Sequence, residues 1–177
     1  MRLRFIIVQQ SLNKIMKGAA VIKMNVAYFL TPKCETAFLY EDYSLRQGLE
    51  KLKYHGFSAL PVIDREGHYV GTISEGDFLW YLVKGEYRDV EQIDVRGLEY
   101  TKIKDVTEIQ KYPSVSATAK VEELFELALQ QNFVPIVDDR GLFMGIVTRQ
   151  RIINYFYSKA GFIGQESYEN PQTVKTA

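Results

Sequence analysis

The sequence SALPVIDREGHYVGTISEGDFLWYLV occupies residues 58–83, and residues 132–157 repeat its pattern as NFVPIVDDRGLFMGIVTRQRIINYFY. A constant shift of 74 positions aligns the residues that punctuate both copies: Pro61 with Pro135, Asp64 with Asp138, Gly67 with Gly141, Gly71 with Gly145 and Ser74 with Thr148. Self-similarity at a fixed period marks a repeated structural unit. The chain is therefore built from two copies of one unit.

Each copy predicts a β-hairpin followed by a helix. A short β-branched run, 61–63 or 135–137, has the composition of a buried strand. Asp-x-x-Gly follows, with the Asp opening and the Gly closing a type I turn, and a second apolar run forms the returning strand. A hydroxyl residue, Ser74 or Thr148, then begins a helix whose apolar positions recur with a period of 3.6.

A second match, at a shift of 76, adds a leading segment, a short strand and a helix before each hairpin, at residues 25–45 and 101–121. The first helix begins with the capping box Ser44-x-x-Gln47. Its predicted buried stripe is Leu45, Gly48, Leu49 and Leu52, and the second helix has Val121, Leu124, Phe125 and Ala128 at the same spacing. We predict an α/β fold, of mixed α+β type, in which two tandem β-α-β-β-α motifs pack their sheets about a pseudo-twofold axis.

The repeat also divides the chain. We place the first motif at residues 25–83, a charged linker with one short turn of helix at 84–100, and the second motif at 101–158. Residues 1–24 are basic and lack acids, so we interpret them as a non-core N-terminal extension or the product of an upstream start. Residues 159–177 are polar and are interpreted as a frayed C-terminal tail.

Composition narrows the function classes. Beyond the five basic residues of the extension, 17 bases face all 22 acids, so the core is mildly acidic and broad nucleic-acid binding is disfavoured. No apolar run approaches the length of a membrane span. Cys34 is the only cysteine, which excludes an internal disulfide framework and fits a reducing, cytoplasmic setting. We interpret Cys34 as an ordinary strand residue.

The sequence carries no catalytic constellation. It contains neither G-x-x-x-x-G-K nor G-x-G-x-x-G, and His55 and His68 lack the spacing of a nucleophile's partner or a metal ligand. His68 directly follows the hairpin Gly67, where a surface turn histidine is the simpler interpretation. We therefore expect no enzyme activity, no catalytic residue, no metal site and no cofactor.

The segment Ser74-Glu75-Gly76-Asp77 admits two interpretations. In the first it is a capping box, in which Ser74 and Asp77 cover free backbone amides at the helix start. In the second, the helix N-terminus after a strand attracts phosphate, while the Asp77 carboxylate accepts hydrogen bonds from a vicinal diol such as ribose. Both can hold together.

The duplicated pattern h-P-h-h-D-x-x-G…G-h-h-[ST], with h an apolar residue, resembles the cystathionine-β-synthase (CBS) domain pair, or Bateman module, over roughly residues 25–158. The whole chain is similar to small stand-alone bacterial CBS-pair proteins. The resemblance implies regulation through an adenosine-type ligand (AMP, ADP, ATP, S-adenosylmethionine or a cyclic dinucleotide such as cyclic di-AMP). It also implies two potential clefts between the motifs, a homodimer and an effector protein as partner.

The resemblance further implies which residues contact the ligand. The family holds ribose hydroxyls at the positions of Ser74 and Asp77. It frames the base with the first short strand and with the segment before the proline strand, here Thr36, Ala37, Phe57, Ser58 and Ala59. The corresponding places in the second copy hold Tyr112, Pro113, Asn132 and Phe133.

The second copy departs from this pattern at the acid, because Thr148-Arg149-Gln150-Arg151 puts Arg151 at the position of Asp77. Standard ribose recognition is not expected there. Arg149 and Arg151 lie beside a helix N-terminus and could bind phosphate as bidentate donors. The alternative is that they are solvated residues of the first turn, slightly unfavourable to the helix dipole.

Two functions from different classes remain. The first is a regulatory nucleotide sensor, supported by Ser74, Asp77 and the duplicated clefts. The second is a ligand-free oligomerisation or scaffold protein that has the fold without binding, supported by Arg151 and by the lack of a fused effector domain in this sequence.

Overall fold

The computed structural model describes residues 25–84, 97–106 and 112–159. The strands are β1 (Thr31–Pro32), β2 (Leu39–Tyr40), β3 (Ala59–Ile63), β4 (Tyr69–Ser74), β5 (Val115–Ser116), β6 (Phe133–Val137) and β7 (Phe143–Thr148). The helices are α1 (Leu45–His55), α2 (Glu75–Lys84), α3 (Gly97–Tyr100), α4 (Val121–Ala128) and α5 (Arg149–Lys159). The order β-α-β-β-α occurs twice, from β2 and from β5, which confirms the predicted fold class.

Some predictions fall outside the described residues. These are the basic extension at 1–24, most of the linker (85–96) and the tail beyond residue 159. Helix α3 is a single turn that lies inside the predicted linker. Among the described residues, no helix combines the length and the apolar character that crossing a membrane requires.

Local signals account for the helices. The Gln47 backbone N–H donates to Ser44 Oγ at 3.2 Å and the Ser44 N–H donates to Gln47 Oε1 at 3.0 Å, so the predicted capping box begins α1. The helix ends at Gly56, whose φ of +66° is left-handed. In the predicted stripes Leu49 is half-buried and the other residues are buried. The spacing of apolar residues therefore identified the faces of α1 and α4 that meet the cores.

Both predicted hairpins form. The Gly67 N–H donates to the Asp64 carbonyl at 3.3 Å, and the Gly141 N–H donates to the Asp138 carbonyl at 3.1 Å. Each aspartate side chain also accepts from the backbone N–H of the residue just before the second strand, at 2.8 Å in both turns. Both hairpins contain a β-bulge in their second strand, opposite the end of the first strand. The sequence repeat is thus matched by a repeat of turn and bulge.

The leading segments are exchanged between the motifs. One sheet has the order β2-β3-β4, but the other has the order β1-β7-β6-β5, so β1 of the first motif pairs with the second motif's sheet. Val26 and Phe29, just before β1, are buried in the second motif's core. Leu98 and Ile103, which precede the second motif's first strand, are buried in the first motif's core. Neither core is complete without the other motif's leading segment.

The pseudo-twofold axis is visible where the hairpins meet. The Tyr69 N–H donates to the Gly141 carbonyl at 3.1 Å, and the Phe143 N–H donates to the Gly67 carbonyl at 2.9 Å. The 74-residue shift exchanges these two bonds, so they are equivalent under the internal symmetry. The rings of Tyr69 and Phe143 stack between the motifs with centroids 6.3 Å apart.

Gly145 permits the close approach of β1. Pro32 lies opposite Gly145 in the β1–β7 pair. A Cβ at Gly145 would lie 2.0 Å from the Thr31 carbonyl oxygen, and its φ of +148° is one that residues with a side chain rarely adopt. Only glycine fits at this point of contact between the two motifs.

The interpretation of Cys34 as a strand residue is wrong. Cys34 is exposed in a 3-10 turn, Lys33–Glu35, that follows β1. The Thr36 N–H donates to the Lys33 carbonyl at 3.1 Å and closes this turn. The chain leaves the second motif's sheet here to reach its own, so the turn follows from the exchange of β1.

Candidate functional site

The residues predicted to line the first cleft include Ser58, Ala59, Ser74 and Asp77, which lie at the junction of β4 and α2. Ser74 is the last residue of β4 and lies opposite Ala59 in β3. The N–H of Glu75 donates to the Ser58 carbonyl at 3.0 Å. The hairpin therefore brings together residues that are 16 positions apart in the sequence, as the resemblance implied for one ligand site.

Asp77 is held in place by Ser74. Asp77 Oδ2 accepts from the Ser74 backbone N–H and from the Ser74 hydroxyl, each at 2.7 Å. The capping interpretation is therefore correct for the acid, whose carboxylate covers the amide at the start of α2. Both side chains are half-buried. The same bonds fix a carboxylate one turn into a helix, beside the strand end, which is the geometry that the ribose interpretation needs.

The residues expected to frame the base in the first motif do not all lie where the sequence predicted. Thr36 and Ala37 precede β2, which begins at Leu39, so they do not form the first short strand as expected. Thr36 Oγ1 donates to the Pro32 carbonyl at 2.9 Å, which extends the exchanged segment's turn and delays the strand. Phe57 is 41% exposed, and its ring stacks on that of His55 at 5.4 Å.

The residues predicted to line the second cleft are Tyr112, Pro113, Asn132, Phe133 and Thr148, near the junction of β7 and α5. Phe133 lies opposite Thr148 in the sheet, and the N–H of the next residue, Arg149, donates to the Asn132 carbonyl at 2.9 Å. The ring of Tyr112 is nearly parallel to that of Phe133, with centroids 6.2 Å apart. The predicted residues of the second copy therefore also come together.

The two arginines have partners within the chain. Arg149 Nε donates to the Ala128 carbonyl at 2.8 Å, at the C-terminal end of α4, where a cation is favourable to the helix dipole. Arg151 Nη1 donates to Thr31 Oγ1 at 3.0 Å and so reaches the exchanged strand β1. The Arg151 N–H also donates to Thr148 Oγ1 at 3.2 Å, which makes Thr148 the cap of α5.

Sequence reasoning missed two residues that support the second cleft. The Tyr69 hydroxyl donates to the Tyr112 carbonyl at 2.8 Å, and Gln131 Nε2 donates to the Pro113 carbonyl at 3.1 Å. Gln131 is 5% exposed, which is unusual for a polar side chain. The repeat offered one signal, because Tyr69 carries a hydroxyl where its equivalent Phe143 does not.

Two lysines near the first motif's leading segment were also missed. The Lys33 and Lys51 ammonium groups lie 5.5 and 5.4 Å from the centroid of the Phe38 ring. Lys51 also donates to the Phe38 carbonyl at 2.7 Å, and its burial lowers its pKa. Both lysines come within range of cation–π attraction to one ring.

Asp64, Glu66 and His68 form a cluster that their spacing had not indicated. Each residue offers one atom that could bind a metal ion, and these three atoms lie within 4.8 Å of one another. In the part of the chain that the structure describes, this is the group with the composition of a metal site. His68 Nδ1 is 2.9 Å from Asp64 Oδ2. Burial raises the pKa of Asp64, but hydrogen bonds from the His68 backbone and ring and from the Gly67 amide together lower it below its ordinary value. The hairpin turn itself accounts for this arrangement.

An open groove of about 460 Å³ lies away from both clefts, between the start of α1 and α3. Charged side chains of both signs line it, and Arg46 pairs with Glu50 and Glu99 there. These pairs are exposed to solvent, where ion pairs contribute little to stability.

The protein is a module of two β-α-β-β-α motifs. The motifs meet about a pseudo-twofold axis, and each has a strand–helix junction with the predicted ligand residues. The family model described as CBS domain matches residues 31–84 and 103–158. The chain therefore belongs to the CBS domain family, as the sequence pattern indicated.

Known proteins extend this likeness. A hypothetical conserved protein from Geobacillus kaustophilus is 26% identical, with a TM-score of 0.69, covering 77% of this chain and 98% of that one. CbpB, crystallised in complex with c-di-AMP, is 25% identical, with a TM-score of 0.70 and coverage of 86% and 96%. The inosine-5'-monophosphate dehydrogenase of Nitrosopumilus maritimus is 24% identical over 85% of this chain, which spans only 27% of that enzyme's length.

Proposed function

We propose that the protein is a regulatory adenine-nucleotide sensor that binds an adenosine-type ligand in its clefts and signals through a partner protein. The observation that carries the proposal is the fixed Ser74–Asp77 pair at the strand–helix junction of a CBS motif. The candidate ligands are AMP, ADP, ATP and cyclic di-AMP. CbpB, a neighbour over most of the chain, has been crystallised with c-di-AMP, which supports this ligand class.

The chemistry of the first cleft suits a nucleoside. A carboxylate accepts hydrogen bonds from both hydroxyls of a vicinal diol, and Asp77 already has its position set by two bonds from Ser74. The start of α2 adds the positive end of a helix dipole, which favours a phosphate. Ribose recognition by Asp77 and phosphate binding at the helix start follow from one arrangement.

The second cleft differs in charge. Arg151 stands where the first cleft has its acid, so it donates hydrogen bonds and cannot accept them from a diol. We propose that Arg151, which lies beside the capped start of α5, contacts a ligand phosphate. Arg149 donates to the carbonyl of the last residue of α4. We therefore propose that its main role is to stabilise the fold and that phosphate binding is its secondary role.

We also propose that the protein is a cytoplasmic homodimer. Helices α2 and α5 carry exposed apolar side chains: Leu79 is 57%, Trp80 58%, Ile153 46% and Tyr157 53% exposed. Leu79 and Ile153 are equivalent under the 74-residue shift, so the internal twofold axis repeats the apolar face. A second copy would remove this area from water. Light scattering should give twice the chain mass, and Leu79→Asp with Ile153→Asp should give the monomer.

A scaffold without a ligand is the second candidate, favoured by Arg151. Thermal melting of the full chain with AMP, ADP, ATP, cyclic di-AMP and S-adenosylmethionine separates the two. A ligand at a hundred times its dissociation constant adds roughly 2.7 kcal/mol, or about 5–10 °C for a chain of this size. Asp77→Ala should abolish the shift. Gln47→Ala, which removes the equivalent cap residue from α1, should preserve it.

Either result decides between the candidates. A ligand-specific shift that Asp77→Ala removes and Gln47→Ala retains supports the sensor. Both variants lose a helix cap, at about 1 kcal/mol, so the lower melting temperature without ligand is matched between them. If none of the five ligands shifts the melting temperature of the wild-type dimer, the scaffold function replaces the sensor.

A further inference from the structure

Tyr69 belongs to the first motif but supports the second cleft. Its hydroxyl donates to the Tyr112 carbonyl at 2.8 Å. The Thr72 hydroxyl lies 2.8 Å from the same oxygen and is the donor of that bond, because the Tyr69 proton is already directed at Tyr112. Burial raises the pKa of Tyr69, so this group stays a protonated donor throughout the physiological range. A complete hydrogen-bond chain therefore runs from Thr72 to the backbone of the second cleft.

The bulge in the first hairpin directs Tyr69 toward the second motif. Strand register shifts between Val62 and Ile63, so Tyr69 and Thr72 contact one another although they are three residues apart. Val70 and Ile73 pack on the opposite face, against the first motif's own core. Without the bulge, strand alternation would place Tyr69 and Thr72 on opposite faces.

Only the first motif supplies this hydrogen bond to the other motif's cleft. The residues equivalent to Tyr69 and Thr72 in the second motif are Phe143 and Ile146, and neither has a hydroxyl. The stacking of the Tyr69 and Phe143 rings obeys the internal symmetry, but the hydrogen bond does not. The second cleft is thus tied to the first motif by a bond that its counterpart lacks.

Two successive carbonyl groups in the second cleft are anchored. Tyr69 holds that of Tyr112, and the buried Gln131 holds that of Pro113 from within the second motif. The anchored segment carries the Tyr112 ring that lies parallel to Phe133. The strand that begins with Tyr69 ends at Ser74 in the first cleft, so one strand contacts both clefts.

We propose that Tyr69 is a positioning residue: its hydroxyl sets the backbone of the second cleft, and β4 thereby couples ligand binding in the two clefts. This inference rests on the proposed nucleotide function. A ligand that shifts the Ser74 end of β4 changes the anchor of Tyr112 at the other end. The coupling is a difference in binding free energy and acts equally in both directions.

The test compares Tyr69→Phe with Tyr81→Phe in the full chain. Tyr81 is also partly buried, and its hydroxyl contacts Thr101 Oγ1 at 2.6 Å, so the control loses the same kind of bond elsewhere. Amide hydrogen exchange of the peptide spanning 112–117 should be about fivefold faster in Tyr69→Phe, the factor for one net hydrogen bond, and unchanged in Tyr81→Phe. Unchanged exchange in Tyr69→Phe overturns the inference whether or not a ligand binds.

Titration with cyclic di-AMP and ATP provides the second measurement. An Asp77→Ala background isolates the second cleft, where Tyr69→Phe should weaken binding about fivefold. Equal affinities with and without the Tyr69 hydroxyl overturn the inference although the ligand function stands. If neither ligand binds the wild-type chain, the proposed function fails at these ligands, and hydrogen exchange alone decides whether Tyr69 positions the segment.

Discussion

Replacing Gly145 with Ala should detach β1 from the second sheet. The new Cβ would lie 2.0 Å from the Thr31 carbonyl oxygen and 3.0 Å from two backbone atoms of Pro32. Backbone atoms cannot turn aside as a flexible side chain does. The strand β1 must therefore move by about 1 Å or more, which breaks the pairing of Thr31 with Ile146 and of Pro32 with Gly145.

The expected loss of unfolding free energy follows from the buried residues that precede β1. Val26 and Phe29, just before it, are 0% and 1% exposed in the second motif's core. Full burial of such a side chain contributes about 1.5–3 kcal/mol, so losing both lowers the free energy of unfolding by roughly 3–6 kcal/mol. Backbone strain at the φ of +148° lowers the free energy of unfolding by about a further 1–3 kcal/mol.

Urea unfolding with matched glycine variants tests this. Gly56→Ala introduces a side chain at a φ of +66° with no atom within 4 Å, so it measures backbone strain alone, about 1–2 kcal/mol. Gly97→Ala meets neither strain nor contact and should change stability by less than about 0.5 kcal/mol. Detachment of β1 should also reduce the slope of the urea dependence, since the folded state then buries less surface.

The comparison has a clear negative outcome. If Gly145→Ala destabilises the chain no more than Gly56→Ala, the contact between β1 and β7 does not hold the leading segment in place. The exchange of segments would then contribute little to the stability of the fold.

Three further results are expected. Burial raises the pKa of Asp64 and Asp138, but hydrogen bonds together lower the pKa of each below its ordinary value. The contribution of these carboxylates to stability is therefore present above about pH 4 and is lost as pH falls through the folded-state pKa. Between about pH 4 and pH 2, the variant with Asp64→Asn and Asp138→Asn should therefore lose less unfolding free energy than the wild-type chain, as measured by urea unfolding. An equal loss in the two proteins contradicts the assignment. Gly48→Ala puts a Cβ 3.0 Å from the Phe78 ring, and calorimetry should show a loss of about 1–3 kcal/mol from overpacking. Ser44→Ala removes the cap of α1 and should lower the unfolding free energy by about 1 kcal/mol in urea.

Features set by neighbours in the sequence were predictable. The capping box of Ser44 and Gln47 acts over three residues, and the Asp64 turn closes over three. The buried stripes follow from helical periodicity alone. The repeat then supplied the number and order of elements, because each unit repeats the same local signals.

Features set by distant contacts were not predictable. The alignment of the repeats shows that the two leading segments are equivalent, but an exchange between motifs leaves that alignment unchanged. The partners of Arg149 and Arg151 lie 21 and 120 residues away in the sequence. Similarly, the alignment matched Tyr69 with Phe143, but only packing shows that the additional hydroxyl reaches Tyr112.

Because the leading segments are exchanged, neither core can be completed until the other motif's contribution has been synthesised. Thr31 emerges early from the ribosome, but its partner Ile146 is made about 115 residues later. At roughly 5–20 residues per second, Val26 and Phe29 wait about 6–23 s before their place in the second motif exists. The first motif likewise lacks Leu98 and Ile103 until synthesis has passed them. Nascent chains of intermediate length should therefore be preferred clients of chaperones that bind apolar segments.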